Sequence, residues 1–286
     1  MGNVIRNIIF QLTEFLKRNL VINVILVIAY SYFIVFMHPD VVEISITVMN
    51  SLSLESYNFW VKIISAIAFS ILSYVVLSQI FQYKENRYLK LFYIVITILF
   101  IAIHSITMFE MNIEIIHGLM YGILTFLLFP LTGRYAASII FALPVMLYDE
   151  WYQYVFLYPD YVQYYELNDI VMDLLGSGLT VVILFGFNIL PFKNKLSVLK
   201  RLEWYILPIF FAITLFILST CYVVIYPEYV CDNTVFILNK LNKPELFWQV
   251  HPFTKAEYHV LSFKEAIFLI TALCYGYAML DIATKY

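Results

Sequence analysis

His117 and Tyr121 stand four residues apart in the apolar run IIHGLMYGILTFLLFP. Asp149, Glu150 and Gln153 close a second run, and Asp169 and Asp173, again four apart, open a third. A spacing of four puts both members of a pair on one helix face. An imidazole, a phenol, an amide and four carboxylates can between them move protons, because a histidine near its ordinary pKa of ~6.5 exchanges a proton at neutral pH. The same set could hold a divalent cation, although no ligand spacing here is diagnostic of one metal. The sequence contains no G-x-S-x-G, H-E-x-x-H, P-loop or acid phosphatase signature, and it identifies no cofactor.

The setting of these residues gives them weight. The chain has 286 residues, of which 63% are hydrophobic and 13% charged, with a mean hydropathy of +0.84. Apolar runs of about 20 residues, the length that crosses a ~30 Å hydrocarbon core, recur along it. The runs do not alternate apolar and polar residues as outer-membrane strands do. The expected fold is an all-α polytopic membrane bundle. Ionisable groups at membrane depth are costly and are functional candidates by default. The net charge of −3 says less than its distribution. Cys221, Cys231 and Cys274 give no disulfide framework, and Cys221 and Cys274 fall in apolar runs as packing residues.

Val4 to Leu16 has apolar residues at helical spacing beside Arg6 and Glu14, with Lys17 and Arg18 following. It reads as an amphipathic helix on the membrane surface, so residues 1–19 form a separate cytoplasmic element rather than a cleaved signal. Eight spans are expected near 20–37, 59–82, 91–109, 113–131, 133–150, 169–190, 204–225 and 264–282. The third and fourth are joined tightly enough to predict a helical hairpin. Arg6, Lys17, Arg18, Lys84, Arg87, Lys90, Arg134, Lys193, Lys195, Lys200, Arg201 and Lys285 then share one side. Asp40, Glu43, Glu55, Glu110, Glu114, Asp160 and Glu166 lie on the other, with the site acids. The positive-inside rule places both termini in the cytoplasm. Residues 20–90 supply the first spans, 91–190 the core, and 191–286 two spans with a long outer loop over 226–263. That loop holds Trp248, His251, Pro252 and His259 and reads as a lid or a re-entrant segment.

Glu110, Glu114, His117 and Tyr121 make one helical stripe. With Asp149, Glu150, Gln153, Asp169 and Asp173 they predict a carboxylate-rich outer pocket around one histidine. Structural readings stand beside this. His117 could lock two helices through a carboxylate. Asp169 follows Asn168, a good N-cap, where acids are stabilised by roughly 0.3–1 kcal/mol. Asp149 and Glu150 could be solvated loop acids. Tyr148, Trp151, Tyr152, Tyr154, Tyr158, Tyr161, Tyr164 and Tyr165 read as an interfacial aromatic belt. Gly176, Ser177 and Gly178 permit close helix packing.

Three blocks in register carry a resemblance: Glu114, His117, Tyr121, Gly122 and Leu124; Asp149, Glu150, Gln153 and Tyr154; Glu166, Leu167, Asp169, Asp173 and Gly176. Over roughly residues 90–190 the chain resembles the VanZ-like family. It departs from the family pattern in having Pro159, Asp160 and Tyr161 where Pro-x-Arg is usual, and Asp173 where asparagine is common. The family comprises bacterial membrane proteins and its founder is linked to teicoplanin resistance. The resemblance therefore implies a role in the bacterial cell envelope, at the inner membrane, rather than a particular reaction.

Two functional classes follow. As an enzyme, the protein would act on a lipid or lipid-linked saccharide. His117 would be general base, Glu114 or Asp149 its orienting acid, and Asp173 an acid or a metal ligand. Glu150 completes the catalytic candidates, while Glu114, Tyr121, Gln153 and Asp169 would bind. As a non-catalytic binder or transporter, it would hold a glycopeptide-like or cationic ligand in the acidic pocket. Membrane lipids are the expected partners, with no nucleic acid.

Overall fold

The computed structural model describes residues 2–109, 112–160, 164–192, 202–240, 248–250 and 257–284. Glu110, Tyr161, Lys193, Lys195, Lys200, Arg201, His251, Pro252 and Lys285 lie outside them. The fold is all-α. Ten α-helices run α1 Gly2–Arg18, α2 Leu20–Phe36, α3 His38–Leu52, α4 Leu54–Gln82, α5 Arg87–Thr107, α6 Ile115–Thr132, α7 Tyr135–Tyr152, α8 Leu167–Gly186, α9 Leu202–Ser219 and α10 Phe263–Ala283. Among the described residues α4, α5, α6, α8 and α10 are each long and apolar enough to cross a membrane. A sixth span results if α1 and α2, which meet at 105°, count as one.

α8 is the axis. It is the most buried of the apolar helices, and α6, α5, α10 and α7 all pack against it. Its contact with α6 is set by glycine. A Cβ on Gly176 would lie 2.0 Å from the carbonyl oxygen of Gly118 and 2.3 Å from its Cα, so only hydrogen fits there. Small residues of this kind govern packing in lipid, where apolar side chains gain little by leaving the acyl chains. α5 lies along α8 instead of forming the expected hairpin with α6.

The two ends of α8 differ in charge. At its C-terminal end Arg6 Nε donates to the Phe187 carbonyl at 2.8 Å, Lys17 sits 4.0 Å over the Phe192 ring, and Lys90 donates to Asn188 Oδ1. Asp169 and Asp173 stand toward its other end, about 26 and 20 Å from Gly186 by helix rise. α1 is amphipathic as expected: Thr13 and Leu16 are buried while Ile8, Leu12 and Phe15 are exposed.

Asp281 was not among the sequence candidates. Its Oδ1 and Oδ2 accept from the Tyr135 and Ala136 amides at 2.9 and 3.0 Å, and Arg134 Nε lies 3.8 Å from Oδ2. A buried carboxylate on α10 thus satisfies the first N–H groups of α7, which have no partner within their own helix. Asp281→Ala should cost roughly 1–3 kcal/mol, read as a lower melting temperature of the purified protein. An unchanged melting temperature would remove this anchor from the account.

Several expectations change. Residues 38–52 form α3 rather than a loop. α9 ends at Ser219, and Cys221 lies beyond it at a positive φ of 60°, half-buried, its sulfur 2.7 Å from that of the exposed Cys231. It is therefore not a helix-packing residue, whereas Cys274 is buried as predicted. The segment between α9 and α10 carries two small sheets among its described residues: β1 (Val223–Val224) parallel to β2 (Phe236–Ile237), and β3 (Trp248–Val250) antiparallel to β4 (Glu257–His259).

Candidate functional site

α6 brings one face to the interior, carrying His117, Tyr121, Leu124 and Leu128, all buried. α7 continues through Pro144 and brings Asp149 and Glu150 in its last turn. Beyond them the helix widens into a π-helical turn over Gln153–Leu157, closed by the Tyr158 amide on the Gln153 carbonyl at 2.9 Å. Such turns are rare and recur at functional sites. α8 brings Asp169 and Asp173. Three helix ends thus meet at one end of the bundle.

The side chains converge. His117 Nδ1 stands 3.3 Å from Asp173 Oδ1, and Nε2 stands 3.7 Å from Asp169 Oδ2. A ring nitrogen of His117 and one oxygen from each of Asp149 and Glu150 lie within 4.8 Å of one another. Tyr121 donates its hydroxyl to Asp149 Oδ2 at 3.0 Å, and Gln153 Nε2 donates to Glu150 Oε1 at 3.1 Å. Asp149, Asp173 and Glu150 are 0%, 0% and 1% exposed. The reading of Asp149 and Glu150 as solvated loop acids is therefore corrected: α7 carries them inside. Asp169, with a side chain 15% exposed, is nearest the mouth. Glu114 ends a short 3-10 turn before α6 and is half-buried.

Asp173 and Asp169 stand against the two ring nitrogens of His117. Among the described residues no lysine or arginine pairs with the four carboxylates. Asp149 Oδ1, Glu150 Oε2 and both oxygens of Asp173 are buried and accept no hydrogen bond. One imidazolium cannot balance four carboxylates, and desolvated charge without a partner is expensive. The acids therefore need bound protons or a cation to be held here.

Asn168 is not the helix cap; Glu166 holds that position. Asn168 instead donates to the Met108 and His259 carbonyls at 3.1 and 2.8 Å and accepts from the Leu261 amide at 2.9 Å. It ties the segment between α9 and α10 to the start of α8. Tyr154 donates to the Ile237 carbonyl at 2.8 Å, and Tyr165 donates to the Leu147 carbonyl at 2.6 Å. Burial and the nearby Glu150, Asp149 and Asp173 carboxylates hold the Tyr165 phenol well above its ordinary pKa, so it remains a neutral donor. Ser177 accepts from Thr125 at 2.8 Å and donates to the Tyr121 carbonyl at 3.3 Å, locking α6 to α8 below the cluster. Sequence reasoning took Tyr165 for part of the aromatic belt and Asn168 for a cap, marked Ser177 as a packing residue and passed over Thr125.

Two cavities adjoin the segment between α9 and α10. One, of about 510 Å³, is apolar and lies between α7, α9 and α10, with Pro144, Trp151, Leu218 and Ile270 in its wall. The other, of about 250 Å³, is of mixed character, with Tyr226, Asn239, His259 and Glu265 among its polar residues. They share Tyr165, Leu167, Leu238 and Phe263 as a common wall. A larger apolar groove of about 750 Å³ runs on the opposite side of α6, past Leu119 and Phe126, and none of the three is lined by a residue of the cluster. Compared with family models, curated proteins and solved structures, the chain matches none.

Proposed function

We propose that the chain is a VanZ-like integral membrane protein of the bacterial inner membrane, and that its His/carboxylate chamber acts at the outer leaflet on a lipid or lipid-linked saccharide. The observation that carries this reading is the bracketing of His117 between Asp169 and Asp173, beside acids whose buried oxygens accept no hydrogen bond. A ring braced by a carboxylate at each nitrogen is oriented for proton exchange. Asp173, fully buried, orients it; Asp169 faces the mouth. The apolar cavity between α7, α9 and α10 suits an acyl chain, and the smaller cavity that shares Tyr165 with it offers polar groups to a head.

In this reading α2, α7 and α9 also cross, which gives about eight spans with both termini cytoplasmic. The basic residues gathered at one end of α8 support that orientation. In a cysteine-free background, single cysteines at Asp160 and Trp248 should react with an impermeant maleimide on intact cells, and one at Lys84 only after permeabilisation. Labelling of the Lys84 position in intact cells would invert the topology and move the site to the inner face.

The functional test is turnover. Purified protein in nanodiscs of bacterial lipids, given lipid-linked saccharides, should yield a mass-shifted lipid product that the His117→Gln protein does not. Absence of product alongside a retained glycopeptide-susceptibility phenotype would turn the assignment to a non-catalytic binder or transporter.

A further inference from the structure

We propose that the chamber is a divalent transition-metal site in which His117, Asp149 and Glu150 are the protein ligands and Asp173 supports the histidine from behind. This deepens the proposed function by naming the cofactor of the same site. Three observations carry it. One donor atom from each of the three residues lies within 4.8 Å of the others. Asp149 Oδ1 and Glu150 Oε2 are buried and accept no hydrogen bond, although each partner oxygen accepts one, from Tyr121 and Gln153 respectively. Each acid is thus held by one oxygen and leaves the other for a ligand. The third is charge: four carboxylates face one imidazole with no lysine or arginine among the described residues.

The geometry suits a small ion. With metal–ligand distances of about 2.0–2.2 Å, tetrahedral donor atoms stand about 3.4 Å apart, so the donors need to close by little more than an ångström. A histidine that ligates a metal characteristically gives its other ring N–H to a carboxylate, which fixes the ring and raises its basicity. With Nε2 as the ligand atom, Asp173, 3.3 Å from Nδ1, is placed for that duty. An imidazole with two carboxylates favours zinc or manganese over magnesium or calcium, which take oxygen alone. Three protein ligands leave a coordination position open, as catalytic zinc sites do. Tyr121 and Gln153 then act as positioning residues, because each holds a carboxylate rather than the ion.

The test uses the full chain in detergent or nanodiscs, stripped with chelator and titrated with Zn²⁺, Mn²⁺, Ca²⁺ and Mg²⁺. One zinc per chain is expected, with manganese weaker and calcium and magnesium weaker still. X-ray absorption at the zinc edge of the unmodified protein should give one imidazole nitrogen and otherwise oxygen ligands. Glu150→Gln and Asp149→Asn, which keep shape, should lose saturable zinc, and Asp173→Asn should weaken it 10–100-fold. Asp160→Asn, on the exposed side beyond the π-helical turn, should bind as wild type. No stoichiometric zinc, a sulfur-containing shell, or binding untouched by Glu150→Gln and Asp149→Asn would overturn the proposal. The two readings fail separately. Lipid turnover by chelator-stripped protein would sink the metal and keep the enzyme, whereas stoichiometric zinc without turnover on any lipid would do the reverse.

Discussion

A single methyl group at Gly176 should loosen the whole bundle: Gly176→Ala is expected to lower both melting temperature and folded yield sharply. The added carbon would sit 2.0 Å from the Gly118 carbonyl oxygen and 2.3 Å from the Gly118 Cα. These are backbone atoms of a facing helix, so no side-chain rotation relieves the clash, and α6 and α8 must part. Overpacking of this kind costs about 1–3 kcal/mol, and a backbone-to-backbone clash belongs at the upper end. The site would follow, because His117 directly precedes Gly118 and Asp173 lies one turn before Gly176. Gly276 on α10 is the control. A Cβ there meets nothing within 4 Å, so Gly276→Ala should be neutral or gain about 0.5–1 kcal/mol of helix stability. Equal melting temperatures for Gly176→Ala and wild type would show that α6 and α8 are not held by this contact.

The same pair of glycines marks what the sequence could and could not disclose. Hydrophobic runs and breaks located α6, α7 and α8 to within a few residues, and spacing by four put His117 with Tyr121 and Asp169 with Asp173 on shared faces. Convergence of the three helix ends followed from topology. Partner choice did not. In lipid the neighbour of a helix is selected by small residues and polar contacts, not by sequence adjacency, so α5 lies on α8 and the hairpin expected from a short connection is absent. Asn168 looked like a cap because caps are local; its bonds to Met108, His259 and Leu261 belong to segments 60 and more residues away. Asp281 carried a legible signal, a lone acid in an apolar run, which its partner amides on α7 explain only in three dimensions. Hydropathy alone extended the seventh span past Ser219, because the left-handed turn at Cys221 leaves no mark in it.

Asp173→Asn should separate chemistry from support most cleanly. Asp173 is fully buried, and neither of its oxygens accepts a hydrogen bond, although His117 Nδ1 lies 3.3 Å from Oδ1. Four carboxylates share this chamber, so removing one charge without changing shape relieves repulsion and desolvation together. The variant should fold at least as well as wild type, with an equal or higher melting temperature, while losing turnover and the cellular phenotype. Natural sites retain such costly groups where function needs them. His117→Gln completes the comparison. Its amide can still donate to Asp169 or Asp173 but takes up no proton at neutral pH and makes a poor metal ligand. If the histidine is only a clamp between α6 and α8, glutamine should restore much of what His117→Ala loses, and function should track folded yield. If it carries the reaction, His117→Gln should be as inactive as alanine while better folded, because alanine strands buried carboxylates at roughly 3–5 kcal/mol. Both variants measured by fluorescence-detected size exclusion and by glycopeptide susceptibility give the answer. A well-folded, fully functional His117→Gln protein would exclude both proton transfer and metal ligation by this residue. A destabilised Asp173→Asn protein would return Asp173 to the scaffold.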